Sequence, residues 1–408
     1  MIAACGQMEA TTMDQAADVW EVVDRLAAQA SEEKADLFVL PETTYPAYYL
    51  ESAERYMQPD IERSANVLER FSRLAAKHAL WLVAGFVEED QDRIYNSVAV
   101  FDRAGTQVGI ARKNFLWDCD HQWFTPGDTL SVFDWDFGNM GVLICADARV
   151  PEIPATLVND GAQLIVEPTA WVNTSKIRRT YRNAQPEFMI RARAMEFGVP
   201  FVCCSKAGWE GKDLEYVGQS QIVSAEGKVL AQAPIGGEHV VVAELTPCDS
   251  HAAEIDNVLR QRLLSTEPPF RPDKPGAMCT VNLRKNADAI ATQLEAAGAR
   301  VARLGVADLN SYAPSRCRAL DGAQVLIAQG RVLDDTFART RAAENRVFVI
   351  MASEEAHLVL DPDGVISWRR VDWQDTLELD FGQADIKQFN PNTNLWSQRR
   401  VECYHLET

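Results

Sequence analysis

Apolar residues recur at helical spacing in two stretches of the N-terminal part of the chain. The first follows Thr12-x-x-Gln15, a pair with the form of a capping box, and places an apolar residue every three or four positions from 16 to 30. The second runs from about Ile61 to His78. A single apolar stripe of this kind is typical of a helix with one face on a core. The pattern therefore predicts two amphipathic helices.

Short runs in which almost every residue is apolar alternate with these helices. They cover residues 37–40, 80–87, 94–101 and 107–111. Runs of this length, rich in β-branched and aromatic residues, are typical of buried strands. The turn Asp102-Arg103-Ala104-Gly105 separates the last two runs and indicates a hairpin. Helix-then-strand units combined with a hairpin predict an α/β fold with a mixed sheet.

A proline-rich segment divides the chain into two parts of unequal length. Residues 267–275 contain four prolines, Pro268, Pro269, Pro272 and Pro275. Prolines at this density interrupt regular structure, and a chain of 408 residues is long for a single hydrophobic core. We therefore predict two domains, at residues 1–270 and 276–408.

The second part repeats sequence from the first part in the same order. Three segments recur, 160–166 as 321–327, 193–205 as 341–353, and 227–229 as 364–366. The separation between their first residues falls from 161 to 148 to 137, as if loops had been deleted. Residues 276–408 are therefore interpreted as a shortened, degenerate α/β repeat of the first domain. The alternative is a generic α/β domain whose buried strands look alike.

The charge and the cysteine content limit the possible partners and compartments. The formal net charge is −19, which argues against nucleic acid or an anionic membrane as a partner. No segment approaches the roughly 20 apolar residues that cross a bilayer. The N-terminus, Met1–Cys5, has no basic region, so no signal peptide is predicted. The nine cysteines include no CxxC pair, and we expect a cytoplasmic protein.

Three strand-like runs lead to residues that are able to do chemistry. The first run ends at Pro41-Glu42, the fourth leads to Lys113, and a further run at 142–144 ends at Cys145. Residues at the carboxyl ends of such strands tend to gather in one crevice. A thiol, a carboxylate and an ammonium group would there supply a nucleophile, a general base and a stabiliser of an oxyanion, the last joined by the backbone N–H of Ala146. Taken singly, the three residues could equally be a core cysteine, a helix-capping acid and a solvated lysine.

These segments, in this order, resemble the signature of the nitrilase, or carbon–nitrogen hydrolase, superfamily. The catalytic positions of that signature match Pro41-Glu42, Lys113 and Cys145-x-Asp147-x-Arg149-x-Pro151-Glu152, and the resemblance runs from residue 2 to about residue 250. It implies a four-layer αββα sandwich, a cysteine nucleophile, no cofactor, and a homo-oligomer. Supporting segments follow in family order: Phe124-x-Pro126-Gly127-Asp128, Pro168-Thr169-Ala170-Trp171, Arg191-x-Arg193-Ala194-x-Glu196 and Gly218-x-Ser220.

The resemblance also implies roles for residues near the three catalytic candidates. Asp120 stands where many members carry a glutamate. Its side chain is one methylene shorter, so its carboxylate would sit farther back and could weaken the positioning of Lys113 or change which substrates fit. Trp171 and Tyr48 are expected in the pocket wall, with a core position as an equal explanation for Tyr48. In the copy at 276–408, Cys317 does not correspond to Cys145, and no catalytic group is expected there.

Small amides or N-carbamoyl compounds are the substrates that the resemblance favours. Cys145-Ala146-Asp147 is nearer to the Cys-Tyr-Asp of family amidases and carbamoylases than to the Cys-Trp-Glu of nitrile hydrolysers. The expected function is hydrolysis of a non-peptide C–N bond through a cysteine thioester, releasing ammonia or an amine. A nitrilase acting on a small nitrile and a non-catalytic binding or assembly protein are the alternatives. The six scattered histidines have no metal-ligand spacing, so no metal is expected.

Overall fold

The computed structural model of the chain describes residues 1–175, 180–249, 255–273, 276–330, 334–370 and 374–407. The chain forms two compact units, Met1–Ala252 and Ala253–Leu406. This division lies earlier than the proline-rich boundary predicted from the sequence, whose Pro275 lies outside the described residues. The segment before the prolines belongs to the second unit because Arg262 Nε donates to Asp321 Oδ1 at 2.7 Å.

The first unit alternates strands and short helices along the chain. Its helices are α1 (Val19–Glu32), α2 (Ala53–Tyr56), α3 (Ser64–His78), α4 (Asp120–Trp123), α5 (Glu152–Asn159) and α6 (Ile190–Phe197). Short 3₁₀ turns lie at Met13–Asp18 and Cys145–Arg149, and a π-helical turn lies at Gln185–Met189. Its strands are β1 (Ile2–Glu9), β2 (Leu37–Val39), β3 (Trp81–Asp90), β4 (Arg93–Phe101), β5 (Gln107–Arg112), β6 (Ser131–Trp135), β7 (Gly138–Val142), β8 (Leu164–Thr169), β9 (Phe201–Glu210), β10 (Leu214–Val217), β11 (Gln221–Val223), β12 (Val229–Gln232) and β13 (His239–Glu244).

All of these strands join one nearly closed sheet. Its main path runs β5-β4-β3-β2-β1-β9-β8-β7-β6. Strands β3 and β8 lie against each other, and the end strands β5 and β6 are in contact. Helices α1 and α3 cover one half of the sheet, and α5 and α6 cover the other. The predicted mixed α/β fold, with helices outside two facing layers of strands, is confirmed.

The sequence pattern located the first elements to within a few residues. The apolar stripe predicted for the first helix is buried, at Val19, Val23, Leu26, Ala27 and Ala30. That helix begins later than predicted because the capping box opens a 3₁₀ turn, where the Thr12 N–H donates to Gln15 Oε1 at 3.1 Å. Strands β4 and β5 form the predicted antiparallel hairpin.

The topology brings the functional strand ends to one edge of the sheet. Strands β1, β2 and β3 are parallel, and β7, β8 and β9 are parallel. Strand β5 runs in the same direction as β3, because the chain reverses once between β3 and β4 and again between β4 and β5. The carboxyl ends of β2, β5, β7 and β8 therefore lie on the same side, which is where polar side chains of an open α/β sheet usually gather.

The second unit is a smaller α/β body. Its five-stranded sheet has three parallel strands followed by two antiparallel strands, and a 3₁₀ turn lies at Val306–Asn310. Its helices are α7 (Asn257–Leu263), α8 (Ala287–Ala296), α9 (Tyr312–Leu320), α10 (Thr336–Asn345) and α11 (Phe381–Ile386). Its strands are β14 (Met278–Asn282), β15 (Val301–Gly305), β16 (Val325–Gln329), β17 (Phe348–Ala352), β18 (Ala356–Leu360), β19 (Ile366–Arg369), β20 (Thr376–Asp380), β21 (Gln388–Asn390) and β22 (Thr393–Asn394).

The two units share a turn geometry after a parallel strand. In the first unit, Asp147 Oδ2 accepts the N–H of Ile144 at 3.0 Å. In the second unit, Asp308 Oδ2 accepts the N–H of Gly305 at 2.7 Å, 161 residues later. The residue directly after the N–H donor is Cys145 in the first turn and a valine, Val306, in the second.

A buried arginine recurs in the second helix after each turn, α6 in the first unit and α10 in the second. Arg193 Nε donates to Ala148 O at 3.1 Å, and Arg341 Nε donates to Leu309 O at 2.8 Å. Each arginine also contacts the glutamate three residues on, at 3.1 Å in the first unit and 2.7 Å in the second. Both recurring contacts lie between β7 and β9 of the first unit and between β15 and β17 of the second.

No helix in the described ranges is long and apolar enough to span a membrane.

We predict that Gly85→Ala destabilises the first unit and displaces Glu42. A Cβ at Gly85 would lie 2.4 Å from Pro41 O and 2.7 Å from Glu42 Cα, so the backbone must move, at a cost of about 1–3 kcal/mol. Thermal unfolding measures this loss. Gly305→Ala is the control because its nearest atom lies at 3.4 Å, an ordinary contact. Equal stability of the two variants would contradict the prediction.

Candidate active site

A buried lysine joins two carboxylates at the edge where the strand ends meet. Lys113 Nζ lies 2.6 Å from Glu42 Oε1 and 2.6 Å from Asp120 Oδ2. Glu42 follows β2, Lys113 follows β5, and Asp120 begins α4. None of the three side chains is exposed to solvent. The structure therefore brings together three residues that lie far apart in the sequence.

Asn96, on the neighbouring strand β4, is hydrogen-bonded to both Glu42 and Lys113. Its Nδ2 donates to Glu42 Oε1 at 2.7 Å, and its carbonyl accepts the backbone N–H of Lys113 at 2.9 Å. Sequence reasoning did not identify Asn96. Its only signal is an amide side chain inside the apolar run at 94–101.

The two carboxylates keep the lysine charged. Burial alone disfavours the ammonium, but the charges of Asp120 and Glu42 outweigh it and raise the pKa of Lys113 well above its ordinary value. The second oxygen of each acid, Glu42 Oε2 and Asp120 Oδ1, is buried and has no hydrogen-bond partner among the described residues. Two acceptors are therefore free to receive donors from a bound molecule.

Asp120 reaches the lysine although its side chain is shorter than glutamate. Lys113 Nζ lies 2.6 Å from Asp120 Oδ2, so the shorter side chain still makes this contact, while its effect on which substrates fit stays a prediction. The same oxygen, Asp120 Oδ2, also accepts the Trp117 N–H at 2.8 Å. Asp120 therefore preserves the contact with one methylene fewer.

Cys145 begins the turn after β7 with a left-handed backbone, at φ +51°. This conformation is uncommon for a residue with a Cβ and tends to mark functional turns. Burial and the charge of Glu42 raise the pKa of the Cys145 thiol, while Lys113 and the Ala170 N–H oppose the rise. The thiol therefore lies within the field of both charged groups, and its environment disfavours the thiolate.

Asp147 ties the cysteine turn to the lysine segment. Its Oδ1 accepts the N–H groups of Asn114, at 3.1 Å, and of Phe115, at 2.7 Å, the two residues after Lys113. Its Oδ2 accepts the N–H of Ile144, just before Cys145, at 3.0 Å. Burial raises the pKa of Asp147 to about 7, although these N–H groups oppose it. One side chain thus sets the spacing between two catalytic candidates.

Of the aromatic residues after Glu42, Tyr48 lies at the site. Its ring centroid is 5.7 Å from Lys113 Nζ, and its ring meets that of Tyr216 edge to face at 6.2 Å. Tyr45 packs in the core instead, stacked on Trp20 at 5.0 Å. A cavity of about 270 Å³ lies beside this wall, lined by Thr12, Tyr49, Glu51, Cys119, Glu210, Gly211, Lys212, Asp213 and Leu214.

Trp171 and Ala146 are both buried around the cysteine turn. Trp171 is fully covered; its Nε1 donates to Glu167 Oε1 at 3.2 Å and its backbone N–H donates to Ser205 Oγ at 3.1 Å. Ala146 follows Cys145 within the 3₁₀ turn. Trp171 is thus held by groups of β8 and β9, and its place in the pocket wall stays a prediction.

Several buried polar residues near the site were missed by sequence reasoning. Lys206 on β9 is fully buried, its Nζ has no hydrogen bond among the described residues, and its closest carboxylate atom is Glu210 Oε2 at 3.8 Å. Burial lowers the pKa of Lys206. Glu167 and Gln185 form a second buried group beside the cysteine turn. Each is visible in the sequence only as a polar residue within or beside an apolar run.

Within the described ranges, no group of three or more His, Cys, Asp or Glu residues is arranged to hold a metal ion.

Curated relatives match the first unit of the chain. An omega-amidase of Xenopus laevis is 31% identical over 229 residues, which cover 54% of this chain and 79% of that protein. A nitrilase of Pyrococcus abyssi is 33% identical over 228 residues, covering 54% of this chain and 81% of the relative. The chain is thus similar to proteins that act on amides and to one named for nitriles.

A solved structure and a family profile cover the same region. An amidase from Nesterenkonia sp. has the same fold, with a TM-score of 0.55 and 23% identity over 64% of this chain and 95% of that one. The profile described as carbon-nitrogen hydrolase matches residues 2–253. The chain belongs to the carbon–nitrogen hydrolase family, the nitrilase superfamily that its sequence motifs indicated.

Proposed function

We propose that the first unit hydrolyses a non-peptide C–N bond in a small amide or N-carbamoyl compound. The observation that carries this proposal is the buried Lys113 ammonium, which lies 2.6 Å from both Glu42 and Asp120. Its charge also opposes the rise in the pKa of the Cys145 thiol. An ion cluster of this kind contributes little to stability compared with apolar packing. Its presence at the same strand edge as Cys145 therefore favours a chemical role.

In the first step, Cys145 attacks the carbonyl carbon of the substrate. Glu42 accepts the thiol proton as the S–C bond forms, and the carbonyl π electrons move onto oxygen. The resulting oxyanion faces the Lys113 ammonium and the N–H of Ala146, whose positive charge and dipole stabilise it. The raised pKa of the resting thiol makes a base necessary for this step.

In the second step, the C–N bond breaks and the product amine leaves. Glu42 returns its proton to the leaving nitrogen, and the oxyanion collapses to a thioester. Glu42 then accepts a proton from water as the water oxygen attacks the thioester carbon. When the C–S bond breaks, that proton returns to sulfur and the carboxylic or carbamic acid departs, so Cys145 and Glu42 regain their starting states.

The free acceptors in the site favour amide and carbamoyl substrates over nitriles. Asp120 Oδ1 and Glu42 Oε2 are buried without donors among the described residues. A carboxamide or carbamoyl group brings N–H donors that would satisfy them, whereas a nitrile brings none. The adjacent cavity of about 270 Å³ suits a small molecule. A nitrilase is therefore the second candidate, and a nitrilase relative is the finding that supports it.

A non-catalytic binding or assembly protein is the weaker alternative. Such a protein would need no buried triad, because replacing a whole buried ion cluster by well-packed apolar side chains is often neutral for stability or stabilising. The cysteine turn also keeps its left-handed backbone, at φ +51°. Both features favour an enzyme.

We also propose that the second unit is a degenerate copy of the β7-to-β12 half of the first. The support is the recurring turn with its aspartate, the recurring buried arginine, and a valine, Val306, at the position of Cys145. The strands that carry Glu42 and Lys113 precede β7, outside the repeated part. The second unit would therefore have neither nucleophile nor base.

The resemblance further implies a homo-oligomer, and the cysteine content implies a reducing cytoplasm. Both stay predictions for this chain. Light scattering of the purified protein measures the first, and localisation of a tagged full-length chain measures the second.

The proposed reaction predicts that Cys145→Ala abolishes hydrolysis. Ammonia release is measured across small amides, N-carbamoyl compounds and nitriles, and the variant should lose more than about 1,000-fold because the covalent route is closed. Cys317→Ala is the control, since that buried cysteine lies in the second unit. Release by neither wild type nor variant from any compound would favour the non-catalytic alternative, and release from nitriles alone would favour the nitrilase.

Glu42→Gln should distinguish the effect of the Glu42 charge on the Cys145 thiol from the role of Glu42 as a general base. The Glu42 carboxylate helps to raise the pKa of Cys145, so an uncharged glutamine lowers that pKa and increases the thiolate fraction at any given pH. Alkylation by iodoacetamide should then reach a given rate at lower pH, while hydrolysis falls by about 10²–10⁴ because the proton carrier is lost. Glu226→Gln, at an exposed carboxylate, is the control. Parallel loss of both rates would contradict this assignment.

Val306→Cys tests the second unit. Placed in a Cys145→Ala background, it restores the thiol at the matching turn but not the base or the lysine, so ammonia release should stay at the level of Cys145→Ala alone. Recovery of more than about tenfold would mean that the second unit supplies its own catalytic groups and would overturn its proposed non-catalytic role.

A further inference from the structure

The carbonyl of the nucleophile is gripped by a buried glutamine. Gln185 Nε2 donates to Cys145 O at 2.8 Å. Gln185 opens the π-helical turn before α6, a local distortion that often accompanies functional sites. Its backbone N–H donates to Asn183 Oδ1 at 3.0 Å, which fixes the start of that turn. The glutamine therefore holds the Cys145 carbonyl from a fixed place in the fold.

A buried acid orients this glutamine. Gln185 Nε2 also donates to Glu167 Oε1 at 2.9 Å, and Trp171 Nε1 donates to the same oxygen at 3.2 Å. Cys203 Sγ lies 3.4 Å from the other oxygen, Glu167 Oε2. Gln185, Glu167, Trp171 and Cys203 are all buried. The amide of Gln185 thus spends both of its N–H groups, one on Glu167 and one on Cys145.

Glu167 lies where a negative charge is disfavoured. Burial raises the pKa of Glu167 well above its ordinary value, and the charges of Asp147 and Glu42 add to the rise. A neutral carboxylic acid still accepts the N–H groups of Gln185 and Trp171 through Oε1. It does so without placing another negative charge behind the thiol.

The contact to Cys145 O has a consequence on the other side of the same peptide. The atoms of a peptide unit are coplanar, and in the trans form the N–H points opposite to the C=O. Fixing the Cys145 carbonyl towards Gln185 therefore directs the Ala146 N–H the other way. That N–H is the proposed backbone donor to the oxyanion.

We propose that Gln185, oriented by Glu167, is a positioning residue that fixes the Cys145–Ala146 peptide plane so that the Ala146 N–H faces the oxyanion. This inference rests on the proposed function for the role of Ala146. It assigns a role in the reaction to two buried residues that touch no substrate atom. It also explains why an acid and an amide lie buried in an otherwise apolar layer.

The test compares Gln185→Leu, Gln185→Glu and a matched control. Gln221→Leu is the control, because Gln221 is a buried glutamine on β11 whose Nε2 faces Pro186 O at 3.5 Å. Two rates are measured for each protein: the acylation burst with p-nitrophenyl acetate, which passes through an oxyanion but needs no amide substrate, and alkylation by iodoacetamide, which forms no oxyanion. Thermal unfolding reports on any general damage.

Gln185→Leu should slow acylation by about 10–100-fold, since a freed peptide plane misdirects one oxyanion donor, while alkylation stays within about threefold of wild type. Gln185→Glu is isosteric but donates to the carbonyl only when protonated. Its acylation rate should therefore match wild type at low pH and fall as pH rises, relative to wild type at each pH. Glu167→Gln should stay within about threefold, because an amide oxygen can accept the same N–H groups of Gln185 and Trp171.

Acylation by Gln185→Leu within twofold of wild type would overturn the inference, and so would acylation and alkylation falling together as in a collapsed turn. A wild type that acylates but releases ammonia from no amide or carbamoyl compound would sink the proposed substrate class and leave the role of Gln185 supported. A wild type that does not acylate at all would overturn both.

Discussion

The contact of the Lys113 ammonium with the carboxylates of Glu42 and Asp120 is the interaction on which the site depends. The three groups are buried, so each would be costly without the others, and the cluster can exist only as a whole. The lysine follows β5, one acid follows β2 and the other begins α4. Their mutual need for partners therefore fixes three separate chain segments relative to one another to within a hydrogen bond. Asn96 adds a fourth, since it bonds one acid by its side chain and the lysine by its backbone.

Asp147 extends this constraint to the nucleophile. Its carboxylate bonds two backbone groups after Lys113 and one before Cys145, so one buried side chain sets the position of the lysine segment relative to the cysteine turn. The second unit keeps the corresponding aspartate, Asp308, bonded to Gly305, but the residue in its turn is Val306. The turn is thus a stable piece of this fold with or without a thiol. What makes it a site in the first unit is the lysine cluster that Asp147 attaches to it.

The sequence allowed the fold class and the catalytic candidates to be predicted because both rest on local patterns. Glu42, Lys113 and Cys145 each end an apolar run, and apolar runs report strands whatever surrounds them. Asn96, Glu167 and Gln185 could not be assigned in this way, because their value lies in which strand or turn packs beside them, and spacing along the chain carries no such information. The same limit explains the domain boundary. The prolines at 267–275 were visible, but the packing of α7 into the second unit through Arg262 and Asp321 was not.

The charge balance of the site opposes ionisation of the Cys145 thiol. Glu42 and Asp120 bring two negative charges against the one positive charge of Lys113, so ionising Cys145 would add a second uncompensated anion in a buried place. Burial and Glu42 accordingly raise the pKa of Cys145. Attack on a carbonyl moves the new charge from sulfur to oxygen, where Lys113 and the Ala146 N–H can meet it, and gives the proton to Glu42, which removes one of the original anions. The net charge of the cluster is then unchanged by the attack. In the proposed reaction, a site that disfavours the free thiolate but permits the concerted step makes Cys145 most reactive towards molecules that place a carbonyl within its reach.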